Sequence, residues 1–530
     1  MAVVVETRAH RGLAALVVAT VVIVGALHGW DTSRWRDGEI PTYDVADYLL
    51  RAEHFRRALG DGELSAFGRL LLDSDVHPPG LPVALAIWSL FCQPGFAGAS
   101  VFSAIISTLN LLLTVALAYR CLPTVGGLLA GAAGVAVISA SPLHASLFAV
   151  PMTEPLSLFW VLSTLALASA RESVARDVAV AVAILLGTLT RYNLAPMLLI
   201  PVAVVATARA LEERRLTPVR VPVLAACTVS AYFGAWYAMN PAMVDGVSRF
   251  FRNVDSGIPL VSRANLQWLW DALAGDVAAS FPVATFALLG LACAAVRPAR
   301  TSSRLLVAFT VVALAALLWH RYKLGRNLYS VAPVWIIAAS TGLAGVFRER
   351  LRDWVGLGLV GLAIPHALSV RGQPAETARY YTEDRHLRHA LEAITEAALG
   401  SDRVIVAGAH RELSKHLIEL WLGAYAPSTN VVFEEQYPPA CARRSSQPKL
   451  EADCRPWAVL GSLEESQPGG STSYVVVTSW SPRSSRSDWT ALVAADVAAV
   501  LPLERYDVAT TTLRSVGMQV LIYTRSGRDN

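Results

Sequence analysis

A chain of 530 residues that is 54% hydrophobic and only 16% charged falls outside the soluble class, in which nearer a quarter of residues carry charge. With a mean hydropathy of +0.45 it reads as a polytopic membrane protein. The net charge of +4 is small, and the sequence has no zinc-type cysteine pairs, Walker loop or dinucleotide fingerprint, so no nucleic-acid partner is expected.

The first apolar run, 12–28, follows Arg8 and Arg11 and is not closed by an A-x-A-like site, so it reads as a retained anchor and not as a cleaved signal. A long polar loop, 30–81, comes next. It holds Asp44-Val-Ala-Asp47-Tyr48-Leu-Leu-Arg-Ala52 and His77-Pro78-Pro79-Gly80. Asp44, Tyr48 and Ala52 are four apart and share one side of a short helix. That helix would hold its carboxylates at the membrane–water boundary, where an ordinary amphipathic interfacial helix is the plain alternative.

Further uncharged apolar runs lie near 98–119, 124–141, 155–170, 178–190, 193–208, 221–240, 279–296, 305–319, 328–347 and 354–370. With the first run these predict about eleven transmembrane helices, several short against the roughly 20 residues a bilayer asks for. Placing the N-terminus in the cytoplasm puts Arg120, Arg171, Arg176, Arg209, Arg214, Arg215, Arg220, Arg297, Arg300, Arg304, Arg348, Arg350 and Arg352 inside, as the positive-inside rule requires. Arg191 and the cluster Arg321, Lys323, Arg326 then stand on the outer side. Cations held on the wrong face of a membrane are functional candidates.

The tail, 371–530, is therefore expected outside the cytoplasm. RHLRHALEAITEAAL and ELSKHLIELWLG look helical, and DRVIVAG, SYVVVTSW and QVLIYTR look like strands. This alternation predicts a small extracytoplasmic α/β domain. Cys441 and Cys454 lie in it, and an oxidising compartment would suit a disulfide between them. The expected division is a membrane domain, 1–370, and a soluble domain, 371–530.

One face thus collects the acidic loop, His77-Pro78-Pro79-Gly80, Met152-Thr153-Glu154-Pro155, Arg191 and His320-Arg321-Tyr322-Lys323. Carboxylates and cations crowded there suit an anionic amphiphile. In order, spacing and sidedness the elements Asp44-x-x-x-Tyr48-x-x-x-Ala52, His77-Pro78-Pro79, Thr153-Glu154-Pro155, Arg191 and Arg321-Tyr322 before Pro333 resemble the GT-C superfamily of polyprenyl-phosphate-sugar-dependent glycosyltransferases. Within it they are most similar to the branch of protein O-mannosyltransferases and the lipid A aminoarabinose transferase. Many relatives carry an adjacent Asp-Glu pair in the first loop, whereas Asp44 and Asp47 are separated here. Either can hold the key position, and the tyrosine spacing favours Asp44.

The resemblance implies a multi-pass enzyme of the plasma or inner membrane with a lipid-phosphate-sugar donor and an extracytoplasmic acceptor. Asp44 would act as base in one inverting displacement. Arg321, Lys323 and Arg191 would stabilise the departing phosphate. Glu154 would orient the acceptor, hold a cation or fix an arginine; Asp47, Tyr48, His77 and Tyr322 would bind substrate or position the loop. It also admits a divalent cation, Mg or Mn, on Asp44 and Glu154, with the metal ligands otherwise unknown. The rival class is a transporter or flippase for an anionic lipid or solute.

Overall fold

The computed structural model describes residues 12–27, 40–41, 44–72, 78–92, 95–240, 258–277, 281–296, 301–320, 325–370, 381–382, 385–407, 413, 415–434, 472–479, 506–513 and 518–525. Cys441, Cys454, His77, Arg321, Tyr322 and Lys323 lie outside the described residues.

In chain order, helix α1 spans Gly12–Leu27. Strand β1 (Ile40–Pro41) leads into α2 (Asp44–Gly60), α3 (Leu64–Leu72) and α4 (Gly80–Ser89). There follow α5 (Phe96–Cys121), α6 (Val125–Ala140), the short α7 (Pro142–Leu147), α8 (Thr153–Ala168), α9 (Val174–Thr190), α10 (Leu194–Glu213) and α11 (Arg220–Met239). Then come α12 (Arg263–Ala272), α13 (Phe281–Val296), α14 (Thr301–Trp319), α15 (Ala332–Val346) and α16 (Glu349–Val370). Each of the eleven apolar runs carries a helix. Among the described residues four spans are by themselves long and apolar enough to cross a bilayer, and a bent pair, Arg263–Val277 with Pro282–Ala295, brings the number to five. Several others, α6, α8 and α15 among them, are apolar but shorter. Large side chains such as Leu16, Ile23, Val204, Val223 and Val311 stay exposed on these helices, as lipid-facing surface does.

The chain divides into two compact units, the first comprising 1–37 and 51–378, the second 38–50 and 379–530. In the first, α8 and α9 form an antiparallel pair. Ser173 caps α9 by accepting from the Arg176 backbone N–H at 3.1 Å. Helix α9 ends where Arg191 turns extended, at φ −150° and ψ 119°. Because α8 starts at Thr153 and α9 finishes at Thr190, Glu154 and Arg191 come to the same end of the pair. The other end carries ion pairs among the arginines the sequence assigns inside: Arg176–Asp177 at 2.7 Å, Arg209–Glu172 at 2.7 Å and Arg304–Glu212 at 2.7 Å.

Helices α13 and α15 approach through glycines. A methyl group on Gly290 would overlap the Ala339 carbonyl, and one on Gly342 would overlap the Gly290 carbonyl. With no hydrophobic drive between helices in lipid, such small-residue seams supply the packing.

In the second unit β1 pairs antiparallel with β2 (Tyr381–Thr382), Ile40 opposite Thr382. Helix α17 (Arg385–Leu399), strand β3 (Arg403–Ala407), helix α18 (Lys415–Tyr425) and strand β4 (Asn430–Glu434) follow. Strands β5 (Thr472–Ser479), β6 (Tyr506–Leu513) and β7 (Met518–Arg525) complete a five-stranded sheet of order β4-β3-β5-β7-β6. Strand β3 is parallel to β4 and β5; β7 is antiparallel to β5 and β6. Leu387, Leu391 and Ile394 of α17 and Leu417, Ile418 and Leu422 of α18 bury against Val404, Val406, Val475, Val520 and Ile522. Ala46, fully buried, belongs to the same cluster, so the first turn of α2 is part of this core. The helices and strands expected in the tail are present; β4 and β6 are additional.

Gly342→Ala should lower the unfolding temperature in detergent by several degrees through overpacking at the seam, while Gly345→Ala, whose Cβ would meet nothing within 4 Å, should leave it nearly unchanged. Scanning fluorimetry on the two variants checks this.

Candidate active site

Glu154 is the second residue of α8 and is 1% exposed. A buried carboxylate needs compensation. The N-terminus of α8 supplies part of it through the helix dipole. Arg191 places Nη1 3.7 Å from Glu154 Oε1, and Arg326 places Nε 3.9 Å from the same oxygen. The Thr153 hydroxyl faces Oε2 at 3.4 Å. Arg191 also donates from Nη2 to the Asn327 side-chain oxygen at 3.4 Å. Three segments therefore meet on one carboxylate: the start of α8, the residue after α9, and the 3-10 turn Gly325–Leu328 before α15. At 3.7 and 3.9 Å the guanidinium groups are held by charge and not by the tight two-bond fork an arginine can form.

The supports are local and specific. Pro155 sits in the first turn of α8, where its missing N–H costs nothing. Its carbonyl accepts from Asn110 Nδ2 of α5 at 2.8 Å, which ties the start of α8 to that helix. Gly80, the first residue of α4, lies against the end of α9; a Cβ there would come within 2.6 Å of the Leu189 carbonyl carbon. Glycine thus lets the start of α4 rest against the residues just before Arg191.

Next to this cluster, in the α6–α8 connection, His144 is 3% exposed. Its Nε2 lies 3.2 Å from the Tyr329 carbonyl, its Nδ1 3.2 Å from Ser141 Oγ, and its ring 4.2 Å from the Tyr329 ring. Burial pushes the imidazole down to about 4, against a weaker opposing effect of the Tyr329 carbonyl, so it is neutral at physiological pH.

The acids of the first loop belong to the second unit. Asp44 and Asp47 both lie in the first turn of α2, where the helix dipole favours carboxylates. Asp44 is half-buried. Asp47 is 9% exposed, with its Oδ1 3.6 Å from Nδ1 of His416 on α18. Tyr48 is 4% exposed. Further along the helix Glu53 takes Arg56 at 2.6 Å and Arg57 at 2.9 Å, and the Arg56 hydrogen bonds hold its carboxyl below the usual range.

Of the residues singled out from sequence, Glu154 and Arg191 are brought into one cluster. Arg326, noted only as one of three outer cations, joins them. Asn110, Asn327, His144 and Tyr329 escaped the sequence reading; an amide inside the apolar run of α5 was the available signal, since such groups are costly in a membrane. Among the described residues no three His, Cys, Asp or Glu side chains converge as metal ligands. The neighbours of Glu154 are guanidinium groups, a donor set for anions, so a divalent cation does not fit at this carboxylate.

No protein-family model matches the chain, and no curated protein matches it. Solved structures do. ArnT from Cupriavidus metallidurans bound to undecaprenyl phosphate is similar over 97% of this chain and 98% of its own, with a TM-score of 0.60 and 14% identity. The same protein in the apo state gives a TM-score of 0.62 at 14% identity, over 97% of this chain and 98% of that one. The Archaeoglobus fulgidus oligosaccharyltransferase in its apo form gives 0.52 at 13% identity, over 98% of this chain and 75% of that one. At such identities the likeness is one of fold. It is the fold expected from the GT-C resemblance: a multi-pass helical membrane protein with a C-terminal α/β unit.

If the Glu154–Arg191 ion pair is a real constraint, a double-mutant cycle of Glu154→Gln and Arg191→Gln should show a coupling of about 1 kcal/mol or more in unfolding free energy. Glu154→Gln alone should be the worse single change, because it removes the one fully buried charge and with it an ion pair to each of two part-buried guanidinium groups. Denaturant titrations in detergent read all four proteins, and strict additivity would mean the pair contributes nothing.

Proposed function

We propose that this chain, which shares its fold with the GT-C glycosyltransferases, transfers a hexosyl or pentosyl unit from a polyprenyl-phosphate donor to an extracytoplasmic acceptor. The observation that carries this reading is the buried Glu154 with Arg191 and Arg326 gathered on one of its oxygens. A lone buried carboxylate has little use for two arginines, but a site for a phosphate does. In this reading Glu154 fixes the guanidinium groups, and they face the phosphate of the lipid. ArnT with undecaprenyl phosphate, and the Archaeoglobus fulgidus oligosaccharyltransferase with a dolichol-phosphate and an inhibitory peptide, support a lipid-linked donor.

The chemistry is a single displacement. The acceptor's O–H or N–H gives its proton to the Asp44 carboxylate as its lone pair attacks the anomeric carbon. The bond from that carbon to the phosphate oxygen breaks, the anomeric centre inverts, and the phosphate leaves with an added negative charge. Arg191 and Arg326, with Arg321 and Lys323, balance that charge; the arginines do so through planar forked donors. Asp47 and Tyr48 hold the first turn of α2, and His77 and Tyr322 border the substrate. In this reading the segment 1–370 carries the catalytic residues, Asp44 among them although 38–50 fold with 379–530, and 371–530 lie outside the cytoplasm on the acceptor side, with the N-terminus inside. Helix-end cations and carboxylates favour transfer over a transporter, whose polar groups gather near the bilayer midplane.

Purified protein supplied with a panel of labelled polyprenyl-phosphate sugars should release sugar from one of them. Asp44→Asn should lower that turnover by roughly 10²–10⁴-fold, with binding of unlabelled polyprenyl phosphate unchanged. Turnover that survives Asp44→Asn would reassign the base, and turnover abolished by a chelator would bring a divalent cation into the site.

A further inference from the structure

Arg326 and Asn327 reach the Glu154 cluster from a 3-10 turn of only four residues. Such turns are short and have poorer hydrogen-bond geometry than an α-helix. Inside this one the Tyr329 backbone N–H returns to the Arg326 carbonyl at 3.1 Å, and the Val331 N–H to the Leu328 carbonyl at 3.0 Å. What anchors the turn to the rest of the unit is Tyr329. Its side chain, 1% exposed, hydrogen-bonds Ser107 of α5, and Ser107 donates in turn to the Phe148 carbonyl at 2.7 Å. Its ring lies on the His144 ring, and its carbonyl faces His144 Nε2.

That carbonyl can only accept, so Nε2 carries the imidazole proton. Nδ1 of the neutral ring is then an acceptor, facing Ser141 Oγ. Ser141 Oγ donates its single hydrogen to the Asp276 carbonyl at 3.0 Å, which ties the serine to the Leu273–Val277 turn and makes its approach to Nδ1 a contact and not a second donated bond. Ser141 further caps α7. The Tyr329 carbonyl thereby fixes the tautomer, and the Tyr329 ring against the imidazole fixes its plane.

We propose that His144 is a positioning residue that sets where Arg326 and Asn327 stand for the lipid phosphate, by clamping the 325–331 turn through Tyr329. The inference rests on the donor reading above for its functional consequence, while the clamp itself is a statement about the turn. Hydrogen bonding and not ring packing is the active element, because the carbonyl it holds belongs to the backbone of the turn.

His144→Gln keeps an N–H donor near the Nε2 position; His144→Phe keeps the ring and removes the donor. Two readouts are taken on wild type and both variants in detergent: amide hydrogen exchange of 325–331, and binding of undecaprenyl phosphate, with scanning fluorimetry to verify folding. The expected result is at least tenfold faster exchange in 325–331 and at least tenfold weaker binding for His144→Phe, both restored to within about threefold by His144→Gln. Binding that is unchanged in His144→Phe, or lost equally in both variants, would overturn the positioning role. Should His144→Phe fail to fold, Ser141→Ala takes its place, with faster exchange and weaker binding again expected, and no change in either against the proposal. A wild type that does not bind polyprenyl phosphate would sink the donor reading instead, and exchange in 325–331 would then decide the clamp by itself.

Discussion

A carboxylate buried to 1% exposure cannot stand alone in a membrane protein, and Glu154 dictates much of what surrounds it. Its compensation comes from segments far apart in sequence: Arg191 from the residue ending α9 and Arg326 from the turn before α15. For these to meet, α8 and α9 must be antiparallel and the turn must be held in place. The ties of Asn110 to Pro155 and of His144 to Tyr329 serve that end. The apolar packing of the helices is degenerate by comparison, because many sequences of leucine, valine and alanine satisfy it.

The two ends of the helix pair show how differently charge is managed. At the end away from Glu154, arginines pair with acids close by, such as Arg209 with Glu213 four residues on and Arg176 with the adjacent Asp177. Those pairs balance out locally. At the Glu154 end two arginines from distant segments approach one carboxylate oxygen at longer separations, 3.7 and 3.9 Å.

The fold was largely legible because hydrophobicity in a membrane protein is a strong one-dimensional signal. Each apolar run carries a helix, and the tail's strands fall where the β-branched runs 403–407, 472–479 and 518–525 are. Strands β4 and β6 were not foreseen: NVVFE is short, and YDVATTTL has polar residues at half its positions, three of them in a row, so neither gives a clean alternating pattern. At the site, Glu154 and Arg191 stood out because charges next to apolar runs are expensive. His144 and Tyr329 did not, since a histidine and a tyrosine near helix ends are ordinary in composition and acquire meaning only from each other.

By itself the sequence determined the membrane class and the helices, because these follow from composition and from the apolar runs along the chain. Tertiary structure decided which of those charges share a partner. Arg191 and Arg326 are 135 residues apart and reach the same oxygen; no spacing rule links them. It also decided that the first turn of α2, with Ala46 in its core cluster, belongs to the unit formed by 379–530. A single small apolar residue between two acids carries no such message locally, since burial is a property of what packs against it.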